Sequence, residues 1–186
     1  MVPVLSLLVP ILVSAVLVFI ASSIVHMVLP FHRNDLKRVP DQDRLLDAVR
    51  QLNIPAGDYA APYAGSAAGM KDPGFVERMK RGPVLLLNVS PGGPVSMGTP
   101  LTLWFLYTVL VGVFAAYLTG RALGPGAHYL EVFRFAGTIA FTGYSLALLQ
   151  NSIWWRRNWG MTVRGMIDGL VYALLTAGTF GWLWPR

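Results

Sequence analysis

Apolar residues gather into four long runs, at about residues 2–29, 101–120, 129–149 and 163–184, with one extended polar stretch between the first and second. A helix of about 20 apolar residues crosses a hydrocarbon layer of about 30 Å, and each run is that long. The pattern predicts an all-α membrane protein: four transmembrane helices with a small cytoplasmic connection carrying short helices. In this division residues 1–30 hold the first transmembrane helix, 31–99 the cytoplasmic connection, and 100–186 a three-helix transmembrane segment.

Within the connection, Asp41 follows Pro40 and can cap a helix to about Leu52, with Leu45, Leu46, Val49 and Leu52 on one side. Its polar face mixes charge signs, which suits covering the ends of the spans better than lying on lipid. Asp72 and Pro73 open a second short helix to Arg81, stopped by Gly82 and Pro83. Residues 84–89 are an apolar segment bounded by turn residues and predict a short buried strand without a named partner. Residues 54–69 have turn chemistry and no period, and are expected to be irregular.

Composition supports lipid as the solvent. The 186 residues are 54% hydrophobic and 13% charged, with mean hydropathy +0.53, more apolar surface than a core of this size can hide. The net charge of +6 does not point to nucleic acid, because the basic residues flank the apolar runs. Arg33, Lys37 and Arg38, Lys80 and Arg81, and Arg156, Arg157 and Arg164 fall on one side, against Arg121 and Arg186 on the other. Basic flanks favour the cytoplasm, so both termini are expected outside. The first run could be read as a signal peptide cleaved near Ala21, Ser22 and Ser23, but without a basic start and with so long an apolar stretch it is expected to stay as a span. No organelle-targeting signal is evident, so the expected location is a bacterial inner membrane. There is no cysteine, which removes disulfides, thiolate catalysis and cysteine-ligated metals.

Two spans carry small residues at every fourth position: Gly165, Gly169, Ala173, Ala177 and Gly181 in the fourth, and Thr108, Gly112, Ala116 and Gly120 in the second. Such ladders let backbones approach closely, and the two are expected to invite each other or a second copy. Ser14, Ser22, Thr138, Thr142 and Ser145 are expected to bond to their own helix or a neighbour.

Ionisable residues lie near the span ends. His26, Gln150, Arg164 and Asp168 could share one depth, a candidate polar layer that takes up a proton or binds a headgroup; the plainer reading is an Arg164–Asp168 ion pair fixing helix depth. Glu131 and Arg134 form a candidate outer polar pair. His26, His32 and His128 are too scattered in sequence for a helical metal pair, and Ser145, His26 and Asp168 lack the nucleophile elbow of a hydrolase. Neither catalytic residues nor a cofactor nor a metal are expected. The partners expected are the lipid bilayer and either other membrane subunits or a homo-oligomer, with no nucleic acid. The expected function is a structural or accessory subunit, with a small transporter or lipid-handling protein as the alternative.

Overall fold

In chain order the elements are α1 (Leu8–Met27), α2 (Gln42–Gln51), β1 (Gly57–Ala61), α3 (Pro73–Arg81), β2 (Leu85–Val89), α4 (Gly98–Ala122), α5 (Tyr129–Tyr144), α6 (Leu149–Ile153) and α7 (Trp159–Trp182). The structure, a computed structural model, describes residues 1–94 and 96–186. It divides into two units, Met1–Lys37 with Ser96–Arg186, and Arg38–Val95.

The first unit is a helical bundle. Among the described residues, three helical stretches are long and apolar enough to cross a membrane: Val4–Met27, Gly98–Ala122 and Tyr129–Ile153. The fourth expected span falls in α7, which is 24 residues long but less apolar, because Arg164, Asp168 and several Gly and Thr residues dilute its hydrophobic side chains. The third stretch is also not one continuous α-helix: α5 ends at Tyr144, a 3-10 turn covers Leu146–Leu148, and α6 follows. At that break the Gly143 carbonyl accepts the Tyr107 hydroxyl at 2.5 Å, and the Ser145 hydroxyl donates across to the Met166 carbonyl at 3.3 Å. Tertiary hydrogen bonds thus interrupt a helix whose sequence shows no proline.

Helix α1 packs on α4 and α7, and α5 packs on the same two from the other side. This arrangement corrects the expectation that the small-residue ladders meet each other. The α4 ladder faces α1: a Cβ on Gly112 would sit 3.2 Å from Ile11, and one on Gly120 would sit 2.3 Å from the Val2 carbonyl oxygen. Thr108 and Ala116 are buried beside them, and Val2 N–H donates to the Gly120 carbonyl at 2.7 Å. The α7 ladder faces α5 and the turn after it: Gly165 meets Leu148, Gly169 meets Tyr144 and Ser145, and Gly181 meets Tyr129. Ala173 and Ala177 are buried in the same seam, and a Cβ on Gly137 would come within 2.9 Å of Ala177.

The buried hydroxyls mostly serve their own helices. Ser14 donates to the Ile11, Ser22 to the Phe19 and Thr176 to the Tyr172 carbonyl, and the exposed Thr142 does the same to Thr138, as apolar surroundings require of polar groups. The bundle is apolar outside as well as inside: Leu12, Val16 and Ile20 of α1, Leu106, Leu110 and Phe114 of α4, and Leu170 and Leu174 of α7 are exposed. A belt of that extent is unstable against water and compatible with a membrane location.

In the second unit, Asp41 caps α2 by accepting from Arg44 N–H at 3.1 Å, and Asp72 caps α3 by accepting from Phe75 N–H at 2.7 Å. Gly82, at φ +59°, ends α3 in the left-handed region that glycine tolerates. The fold is not purely helical. Strands β1 and β2 pair antiparallel, with Tyr59 opposite Leu87 and Asp58 opposite Asn88, and the Asn88 amide donates to the Asp58 carboxylate at 2.7 Å. Two expectations are corrected: residues 54–69 contain a strand, and the apolar strand after Pro83 is at most half-buried. The sequence Gly-Asp-Tyr-Ala-Ala alternates too weakly to announce a strand, and only its long-range partner selects that state.

Candidate functional site

Pro30 stops α1 from continuing, since its nitrogen carries no donor for the helix ladder. The chain turns instead through a 3-10 segment, Pro30–His32, closed by Arg33 N–H donating to the Pro30 carbonyl at 3.2 Å and Asp35 N–H to the His32 carbonyl at 3.1 Å. This hook brings His32 and Asp35 back to the end of the bundle, beside His26 of α1 and the first turns of α7. The His26 and His32 rings lie 4.4 Å apart between centroids, tilted by 37°.

A chain of contacts connects the hook to α7. Arg164 donates through Nε to Asp35 Oδ1 at 2.7 Å and through Nη2 to the same oxygen. The other Asp35 oxygen lies 2.7 Å from His32 Nδ1. On the far side of that ring, Nε2 lies 2.8 Å from Asp168 Oδ2, and His26 Nε2 lies 4.0 Å from the same oxygen. Despite its proximity to Asp168, His32 Nε2 has no aligned hydrogen-bond partner among the described residues. Burial by itself would raise the Asp35 carboxyl, but hydrogen bonds from His32 and Arg164, reinforced by their charge, hold it below its ordinary value.

Next to this chain is a cavity of about 400 Å³. Its polar wall carries His26, His32, Asp35 and Asp168, with Asn151 and Arg157 from the α6–α7 region. Its aromatic wall carries Trp104, Tyr107, Tyr144 and Tyr172, packed edge to face or tilted with centroids 5.6–6.3 Å apart. Trp104 is held by its indole N–H donating to Ser22 at 2.8 Å. Tyr172 is 3% exposed, and its hydroxyl has no hydrogen-bond partner among the described residues. His32 and Tyr172, which carry these two unpartnered buried atoms, both line the cavity, and its polar wall suits a polar occupant.

The layer read from sequence is partly brought together. His26 and Asp168 meet, while Gln150 is exposed and does not line the cavity. The Arg164–Asp168 pair is corrected: Arg164 reaches out of α7 to Asp35, and Asp168, 5% exposed, faces the histidines instead. His26 and His32 form no pair along one helix; the Pro30 hook brings their rings together from two elements. On the outer side Glu131 does not pair with Arg134 among the described residues; it accepts from the His128 N–H at 3.3 Å in a capping box at the start of α5. Ser145 is committed to Met166 and forms no triad. His32 and Asp35 lie outside the polar layer that the sequence suggests. Their spacing of three after a helix-ending proline is the signal that could have found them.

No protein family, curated protein or solved structure matches this chain. The functional reading therefore rests on the cavity and its neighbours.

Next to the polar cavity lies a second hollow of about 440 Å³, an apolar groove between α4 and α5 lined by Leu110, Phe114, Leu118, Ile139 and Thr142 among others. Tyr107 belongs to both linings. One aromatic ring thus marks the boundary between a polar chamber at the bundle end and an apolar track along its side.

Proposed function

We propose that this chain is a four-span integral membrane protein that holds a membrane lipid, its phosphate-bearing headgroup in the polar cavity and an acyl chain along the α4–α5 groove. The observation that carries this reading is the shared wall at Tyr107, where a polar chamber and an apolar track adjoin as the two parts of a lipid do. Arg157 and Asn151 supply donors for a phosphate, and the aromatic wall sits where amphipathic rings favour the interface.

The fourth span in this reading is α7. It packs against α1 and α5, and its charged residues lie in its first turns, at the cavity end, leaving the rest uncharged. The basic flanks support a cytoplasmic cavity end with both termini outside; the membrane in this proposal is a bacterial inner membrane. The accessory-subunit expectation drew on ladder faces that the fold spends on its own helices, so the lipid-handling alternative has the stronger support.

The test is native mass spectrometry of the full chain released from nanodiscs of mixed phospholipids. Retention of one lipid per chain, weakened by Arg157→Ala and by Thr142→Phe, which would fill the groove, is the expected result. No retained lipid, or retention indifferent to both changes, refutes the reading. Reporter fusions at Arg186 and between Asp41 and Arg50 should report opposite compartments; a shared compartment refutes the four-span topology.

A further inference from the structure

We infer that His26 Nε2, His32 Nε2 and one carboxylate oxygen of Asp168 bind a divalent first-row transition-metal ion at the mouth of the lipid cavity, leaving coordination positions open toward it. The three ligand atoms already lie within 4.8 Å of one another. Metal–nitrogen bonds of about 2.0–2.1 Å require ligand atoms roughly 3.3 Å apart, so His26, at 4.0 Å from Asp168, must move in, and His32 and Asp168, at 2.8 Å, must part slightly. The side chain of His26 is 52% exposed and can rotate to supply the first movement, while His32 stays oriented by its bond to Asp35.

Three independent features point to a metal rather than a simple ion pair. The donor set of two imidazoles and one carboxylate is that of zinc and of iron(II), manganese and cobalt, not of calcium or magnesium, which favour oxygen throughout. His32 is oriented from behind: its Nδ1 bonds to Asp35 at 2.7 Å, and Asp35 is fixed by Arg164. With the proton on Nδ1, the lone pair resides on Nε2 and faces Asp168, the carboxylate–histidine–metal relation in which an outer carboxylate sets the tautomer and ring angle of the ligand. His32 Nε2 has no aligned partner among the described residues although Asp168 Oδ2 lies 2.8 Å away, so the bonding capacity of that nitrogen is unused.

The open positions would take an anionic oxygen, and in the proposed reading this is a phosphate oxygen of the headgroup. That last step rests on the lipid assignment; the metal site itself does not.

The experiment uses the full chain purified in detergent without a histidine tag, stripped with chelator and titrated with zinc chloride, with bound metal counted by plasma mass spectrometry. Cobalt chloride serves as a second probe, through visible absorption from nitrogen ligation. One ion per chain is expected. Affinity should fall by more than about 100-fold in His32→Ala and by roughly 10–100-fold in Asp35→Asn, which leaves all three ligands in place. His26→Ala, at an exposed position, guards against misfolding as the cause of any loss and should also abolish stoichiometric binding. Substoichiometric zinc in the unaltered chain, or affinity unchanged in His26→Ala and His32→Ala, overturns the metal site. Lipid retention measured on the same samples separates the two ideas: lipid without metal removes only the ion, and metal without lipid removes only the headgroup.

Discussion

Gly169→Ala is the sharpest probe of how the α7 ladder shapes the site. A methyl group there would lie 2.2 Å from the Ser145 hydroxyl oxygen, 3.1 Å from Tyr144 Cβ and 3.2 Å from the Tyr144 carbonyl carbon. The first contact is impossible, and the other two are with groups that cannot swing away. Ser145 must rotate and give up its bond to Met166, a loss of about 0.5–1.5 kcal/mol, and the seam must open, at about 1–3 kcal/mol for overpacking. Replacing a helical glycine returns about 0.5–1 kcal/mol, leaving a net destabilisation of about 0.5–4 kcal/mol. Gly178→Ala is the matched control, because its methyl would meet only the Tyr129 hydroxyl at 3.7 Å, an ordinary contact. Unfolding in mixed micelles at increasing SDS, followed by tryptophan fluorescence, compares the two. Equal stability of Gly169→Ala and Gly178→Ala would refute the claim that α7 and the α5 break are in backbone contact.

Other substitutions extend the same logic. Gly120→Ala would drive a methyl to 2.3 Å from the Val2 carbonyl oxygen; a loss of about 1–3 kcal/mol is expected, along with faster amide exchange at Val2, and unchanged exchange would contradict the N-terminal docking. Arg164→Gln leaves Asp35 without its main cationic partner and should cost about 1.5–3 kcal/mol in the same SDS titration; a cost no greater than that of an exposed control such as Arg134→Gln would argue against the half-buried pair. Phe180→Ala removes a fully buried ring from the cluster with Leu7, Ile11 and Val132 and should cost about 3–5 kcal/mol. A near-neutral result would place that ring outside the core.

The sequence by itself determined the elements whose cause is local. Runs of apolar residues set the lengths of α1 and α4, Asp41 and Asp72 set the starts of α2 and α3, and Pro30 set the end of α1, because each effect acts within a turn or two of helix. The small residues every fourth position announced close-packed seams but not their partners, since the spacing defines a face and says nothing of which neighbour fills it. The tertiary structure decided that α4 docks on α1 and α7 on α5, and that a strand forms at Gly57–Ala61, where pairing outweighs a weak local preference. It also decided the site. Arg164 lies four residues from Asp168, which locally favours a pair, yet the hook after Pro30 presents Asp35 to that arginine and leaves Asp168 to two histidines. Charge partners are chosen by which groups the folded chain desolvates together, and that choice depends on distances that one-dimensional spacing does not carry.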